Sequence, residues 1–407
     1  MIIDIVRFNF KIIIFGFIFT LFSSIGQSYF IGLFNVYIRE DLGISHGDFG
    51  TLYAVATLCS GLILVWLGKK IDEVRLVTFS IFVAVFLSLS ALFFSFVNTY
   101  YFLFIGIFFL RLSGQGLMSH TATTAIARFF DKRRGKALSI VWLGLSLAEF
   151  LLPIIIALLL SIFYWRTIWL GISIITFLFL PFFSLITVKK INILSREKSS
   201  KNKVNKFIKS WKVKEVLFDI KFYSMLPALL APAALMTGIF VFQFFIAESK
   251  NWNIYVIPSS FMIYSVTSVA SLFFAGFLVD KFTSAKIFPL LNVPLLLGSL
   301  ILVYFDHQYS AFVLMFFMGV TNGFSNVLFS SIWAEVYGVK YLGSIRALAT
   351  AIMVFSSALG TFVFGVLIDL GYTIEKISNF SGIYIAISII IALIYRKKYR
   401  PILQNKT

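Results

Sequence analysis

A single cysteine, Cys59, among 407 residues leaves no partner for an internal disulfide and no thiolate cluster for a metal. The three histidines, His46, His120 and His307, are scattered along the chain, so no histidine-based metal centre and no cofactor are expected. Charge is scarce as well. Asp, Glu, Lys and Arg make up 13% of the residues, against roughly 25% in an ordinary soluble domain, which excludes a cytosolic globule. No G-x-x-x-x-G-K-[ST] loop occurs, so direct use of ATP has no support. Paired carboxylates within apolar runs, metal-ligand spacings and a Ser/His constellation are also missing, and an intramembrane enzyme is not expected.

Apolar runs take the place of all this. Hydrophobic residues reach 60%, with 50 phenylalanines, and the mean hydropathy is +0.96. Runs such as "TFSIFVAVFLSLSALFFSFVNTYYFLFIGIFFL" (78–110) and "FLLPIIIALLLSIF" (150–163) carry no charge. About 20 such residues cross a bilayer as a helix, and strict alternation of a barrel strand is absent. Charged and turn-forming clusters cut the chain into twelve spans, at 8–37, 46–67, 74–97, 100–127, 136–163, 165–188, 222–247, 257–279, 286–305, 308–337, 343–369 and 377–395. The first lacks a small-residue cleavage site and reads as a retained helix.

The formal charge of +18 is distributed as a membrane protein requires. With the N-terminus inside, the cytoplasmic segments hold Arg7, Lys11, Lys69, Lys70, Arg75, "RFFDKRRGK" (128–136), Lys281, Lys286, Lys340, Arg346 and "YRKKYR". The outer loops hold only Arg39, Arg166, Lys250 and Lys376. This asymmetry places both termini in the cytoplasm, and a basic surface facing anionic headgroups calls for no nucleic acid. The one long polar stretch, 189–221, reads as a basic cytoplasmic linker between a six-helix bundle at 1–188 and another at 222–407.

The two bundles repeat one another. "GKKID" (68–72) returns as "GFLVD" (276–280), "SGQG" ending at Gly116 lines up with "VTNG" ending at Gly323, and "IARFF" (126–130) with "WAEVY" (333–337). Same-orientation repeats imply a pseudo-twofold axis along the membrane normal, an architecture for alternating access. The sequence here resembles the major facilitator superfamily over nearly its whole length. The family's loop signature G-x-x-x-D-[RK]-x-G-[RK] is matched in part by "GKKIDEVR", where Glu73 replaces a base, and by "GFLVDKFTSAK", where Thr283 stands at the glycine position. "RLSGQG" looks like the family's R-x-x-x-G-type motif, with its glycines three and five places after Arg111, while "ARFFDKRRGKALS" and "YWRTIW" resemble segments of its monocarboxylate and organic-anion transporters.

The resemblance implies an all-α membrane protein of twelve helices in two pseudo-symmetric bundles. In the signature loops, Gly68 and Gly276 let helix ends approach. Asp72 is expected to pair with Arg128, Arg133 or Arg134, with Asp280 and Lys281 as the second copy; these contacts would hold one conformational state and break in the other.

Two charged residues fall where charge is costly. Arg111 lies about 15 Å into its span, near the midplane, and Glu149 has a similar depth in the next. A charge there costs roughly 2.5 to 3.5 kcal/mol on insertion scales, so each should face the bundle interior. Either Arg111 binds a substrate carboxylate while Glu149 couples transport to protons, or the two form a permanent buried pair. In this family the first, fourth, seventh and tenth helices line the cavity. They supply Gln27 and Tyr29, Gln115, Gln243, and Asn322 and Asn326 as further substrate contacts, with His120 as a second proton-handling group. Met318 is the repeat mate of Arg111, which confines the cation to one half and favours a small mono-anion.

The expectation is a monomeric, multi-pass plasma-membrane (inner-membrane) transporter that takes up a small carboxylate with a proton. Proton-coupled efflux of an amphiphile is the alternative, and a non-transporting receptor the alternative from another class.

Overall fold

The computed structural model describes residues 2–130, 134–189, 211–338 and 340–399. Among the described residues, twelve helices are long and apolar enough to cross a membrane, and the chain is a multi-pass integral membrane protein. They are α1 (Phe10–Gly32), α2 (His46–Asp72), α3 (Leu76–Ser95), α4 (Tyr100–Phe129), α5 (Gly135–Leu160) and α6 (Trp165–Val188), then α7 (Ile220–Val241), α8 (Val256–Phe282), α9 (Ser284–Tyr304), α10 (Ser310–Tyr337), α11 (Leu342–Asp369) and α12 (Ile374–Tyr399). No strand occurs among the described residues.

Local chemistry sets the helix ends. Ser45 and Asp48 cap α2 reciprocally, each side chain accepting from the other's backbone N–H. The Thr99 hydroxyl accepts from the Phe102 N–H at the start of α4, and Asp219 accepts from the Lys221 N–H at the start of α7. Within the spans, hydroxyls such as those of Ser80, Ser88 and Thr121 donate to the carbonyl four residues back, so they need no water.

The chain forms two compact units, Met1–Lys201 and Asn202–Thr407. In the first, α1 packs on α5, α2 on α4 and α3 on α6. In the second, α7 packs on α11, α8 on α10 and α9 on α12, the same scheme one repeat later. Small residues permit the closest of these contacts.

Two helices of the first unit are irregular, although the sequence pattern reads them as continuous. Helix α1 leaves helical geometry after Ser23, makes a 3-10 turn at Ser24–Gly26, passes through extended Gln27 (φ −81°, ψ 154°) and resumes at Ser28–Gly32. Helix α4 widens into a π-helical segment at Arg111–Met118. The two irregularities touch. A Cβ on Gly26 would lie 2.3 Å from the Leu110 carbonyl oxygen and 2.5 Å from the Gln115 nitrogen, and one on Gly114 would lie 2.6 Å from the Gly26 nitrogen. Backbone meets backbone there, and only glycine allows it.

Candidate functional site

Arg111 is the first residue of the π-helical segment and is buried. Its Nη1 donates to the Gly26 carbonyl at 3.3 Å and to the Ser28 hydroxyl at 3.2 Å. The guanidinium carbon lies 5.1 Å from the centroid of the Tyr53 ring, within cation–π range. The Tyr53 hydroxyl in turn donates to Ser28 Oγ at 3.0 Å. The Arg111 Nε has no hydrogen-bond partner. A carbonyl, a hydroxyl and an aromatic face surround this cation, and no carboxylate among the described residues pairs with it.

Glu149 is buried on α5 at 8% exposure. Tyr29, itself buried, lies within its electrostatic reach. Arg111 and Glu149 form no ion pair, so the permanent buried pair is not how either charge is accommodated. The short helix after the α1 break links their surroundings: Ser28 contacts Arg111, and the next residue, Tyr29, lies within electrostatic reach of Glu149.

The other sequence candidates fall into two groups. Gln27 is the extended residue of the break, and Gln115 lies in the π segment against Gly26. Both therefore adjoin the Arg111 cluster. In the second unit, the buried Gln243 donates from Nε2 to the Phe240 carbonyl at 2.9 Å, across an interruption of α7 at Phe242. Asn322 donates to Ser268 Oγ at 2.7 Å and so joins α10 to α8, while Asn326 is exposed.

His120 adjoins the signature loop, with Nε2 3.1 Å from the Gly68 carbonyl. Two turns further along α4, Arg128 forms an ion pair with Asp72 and donates to the Ile71 carbonyl at 3.3 Å. Carbonyls at a helix C-terminus lack helical donors, and basic side chains suit that end. Arg133 lies outside the described residues, as does the side chain of Arg134.

The second signature copy is built differently. Asp280 is exposed, Lys281 lies over the Phe282 ring at 5.2 Å, and a Cβ on Gly276 would meet nothing within 4 Å. Thr283, at the glycine position of the signature, has φ +73°. Glu335 takes the part played by Arg128, accepting from the Ser284 N–H at 2.8 Å and the Ala285 N–H at 3.0 Å. The alignment of "IARFF" with "WAEVY" superposes these two residues, which is the signal that would have found Glu335. Ser28 lies between the candidates Gln27 and Tyr29, but Tyr53 had no sequence signal.

At the opposite ends of the helices, one cation ties three connections in each unit. Arg166 pairs with Asp41 and donates to the Val97 carbonyl from Nε at 3.2 Å. Lys250 donates to Asp306 at 2.5 Å and Glu375 at 2.7 Å. Burial alone would lower the Lys250 ammonium's pKa, but these two carboxylates hold it above its ordinary value.

The family model of the Major Facilitator Superfamily matches residues 16–364. No curated relative matches the sequence. Among solved structures, the D-xylose-proton symporter has a TM-score of 0.73 at 15% identity, with 96% of this chain and 98% of that one covered. A mutant form of the nucleoside transporter NupG gives 0.71 at 15% identity, over 96% of this chain and 100% of that one. A bacterial homolog of the human lysosomal transporter Spinster, in an inward-facing and unoccupied conformation, gives 0.68 at 13% identity, over 96% of each chain. These likenesses are to the fold.

Proposed function

From the premise that this chain belongs to the major facilitator superfamily and is a membrane transporter, not an enzyme, we propose that it takes up a small mono-carboxylate together with a proton across the plasma membrane, by alternating access, with both termini cytoplasmic.

One observation carries this reading: Arg111 is a buried cation whose surroundings are all neutral. A guanidinium stays charged at any accessible pH and presents paired donors that suit a carboxylate. An uncompensated charge away from water is costly, and a bound anion offsets that cost. A single cation with no second one at its repeat position, where Met318 stands, fits one carboxylate better than two. Glu149, buried with no cation paired to it among the described residues, supports the proton as the co-transported ion, since binding a proton removes the cost of a bare carboxylate. Gln27 and Gln115, beside the Arg111 cluster, are proposed to complete the carboxylate's surroundings, and the Asp72–Arg128 pair to stabilise one of the two alternating states.

Uptake of radiolabelled lactate, benzoate and succinate by proteoliposomes, with and without an inward proton gradient, tests the reading. The mono-anions should accumulate under the gradient and succinate should not. Arg111→Gln should lower kcat/KM for the mono-anions at least about 100-fold, corresponding to about 3 kcal/mol for one charged hydrogen-bonded partner. Glu149→Gln should abolish acceleration by the gradient while leaving lactate exchange in place. Unchanged mono-anion kinetics in Arg111→Gln would overturn the anion site. Gradient-driven export of an amphiphilic dye instead of carboxylate uptake would favour efflux.

A further inference from the structure

Arg111 does not orient itself. Its side chain is more than nine-tenths buried, and its fixed contacts come from residues outside the "RLSGQG" segment, namely Gly26, Ser28 and Tyr53. We propose that Ser28 and Tyr53 are positioning residues for substrate recognition. In this arrangement the Tyr53 hydroxyl fixes Ser28, and Ser28 with the Gly26 carbonyl holds one end of the guanidinium. The Tyr53 ring supports its face, and the Nε edge is left for one carboxylate oxygen. The inference rests on the anion-site reading of Arg111.

The geometry has three parts. The bond from Tyr53 to Ser28 at 3.0 Å joins α2 to the short helix after the α1 break. The Ser28 oxygen then accepts from two donors, Tyr53 Oη and Arg111 Nη1, so it is bound from both sides. Tyr53 is also wholly buried, which removes water as a competitor for its hydroxyl and strengthens the attraction between its ring and the cation. A long side chain otherwise loses rotamer freedom when it grips a ligand. Here that loss has already been taken in folding, which leaves more of the contact energy for binding.

All the partners are neutral, and this has a consequence for selectivity. A carboxylate in the place of Ser28 would cancel the charge of Arg111 and remove the attraction for an anion. A hydroxyl and a ring fix its direction and leave its charge whole. Ser28 and Tyr53 would therefore act on substrate affinity, whereas the gradient dependence assigned to Glu149 would be untouched by them.

Lactate uptake into proteoliposomes decides the matter, read as KM and kcat separately and repeated across pH. Tyr53→Phe keeps the ring and loses the hydroxyl, so KM should rise about three- to tenfold with kcat little changed, the size expected for one neutral hydrogen bond. Ser28→Ala should raise KM by a similar factor. The double variant should be far less than multiplicative, because both changes break one relay. Tyr53→Leu removes ring and hydroxyl and should raise KM further than Tyr53→Phe, and Tyr53→Trp should recover part of that loss. None of these should shift the pH profile.

KM values equal to the parent protein's in Tyr53→Phe and Ser28→Ala would overturn the positioning role. So would multiplicative effects in the double variant, or losses confined to kcat. If those variants behave as the parent while Arg111→Gln abolishes uptake, only this inference fails. If Arg111→Gln is itself silent, the underlying anion site fails. Tyr53→Phe differs by one atom, so a folding defect common to the other variants leaves it as the deciding measurement.

Discussion

The two six-helix units share a packing scheme and differ in what they place at mid-span. A Cβ on Gly144 of α5 would lie 2.0 Å from the Phe17 carbonyl oxygen of α1, and one on Gly360 of α11 would lie 2.2 Å from the Ala234 carbonyl oxygen of α7. Both units therefore bring their first and fifth helices together on a glycine. At the spacing that relates those glycines, Glu149 corresponds to Gly365, and across the "SGQG"/"VTNG" alignment Arg111 corresponds to Met318. Helix α10 runs unbroken through Ser310–Tyr337, whereas α4 opens into a π segment where Arg111 sits. Duplicated packing is thus compatible with chemistry confined to one copy. Packing depends on small residues at crossings, and chemistry depends on a π segment in the fourth helix, pressed against the break in α1, that the tenth helix lacks.

The largest expected effect concerns that break. Gly26→Ala would drive a methyl group into the backbone at Leu110 and Gln115, at a cost of about 3 kcal/mol or more because backbone cannot rotate aside. Expression and thermal melting in detergent should both fall. Gly276→Ala, with nothing within 4 Å of its Cβ, should be neutral or slightly stabilising. Equal behaviour of the two variants would erase the distinction between the units.

Next in size is the asymmetry of the signature loops. Asp72→Asn breaks the pair with Arg128, whose side chains are 21% and 53% exposed for Arg128 and Asp72. Solvent screening limits its worth to about 1 kcal/mol, or up to roughly fivefold in the balance of two conformations. Uptake rate and accessibility of introduced cysteines should shift accordingly, and Asp280→Asn should change neither.

A similar magnitude applies to Lys250→Met, which removes the cation tying Asp306 and Glu375 together. Those carboxylates are 80% and 37% exposed, so about 1 kcal/mol of stability in the second unit is the upper range. The pKa of Lys250 is raised on folding. Its contribution is therefore fully present below the unfolded value of about 10.4 and is lost as pH climbs past the folded one. The variant and the parent should differ in melting temperature at pH 7 and converge at strongly alkaline pH.

The smallest effect should be a gain. Thr283 holds a φ of +73°, a region that costs a β-branched residue about 1 to 2 kcal/mol. Thr283→Gly relieves that strain but adds freedom to the unfolded chain, so a net stabilisation of roughly 0.5 to 1 kcal/mol is expected from melting curves.

Much of this is legible in the sequence. A charge-free run of about 20 residues has few ways to satisfy its backbone in lipid, so the helices follow from composition. The repeat announced itself through "GKKID" and "GFLVD", and Arg111 and Glu149 stood out as charges in apolar runs. Glu335 was visible only as the odd partner of Arg128 in an alignment. Tyr53 is one of 17 tyrosines and carries no mark of its contact with the guanidinium.

Residue identity alone determined that this chain spans a membrane twelve times in two related halves and buries one arginine in the first, because lipid penalises every unsatisfied polar group in the same way wherever it occurs. Tertiary structure decided what that arginine touches. The turn that breaks α1 and the π segment that widens α4 meet where two glycine backbones come too close for any Cβ, and a contact between residues 26 and 114 has no signature in the local sequence of either.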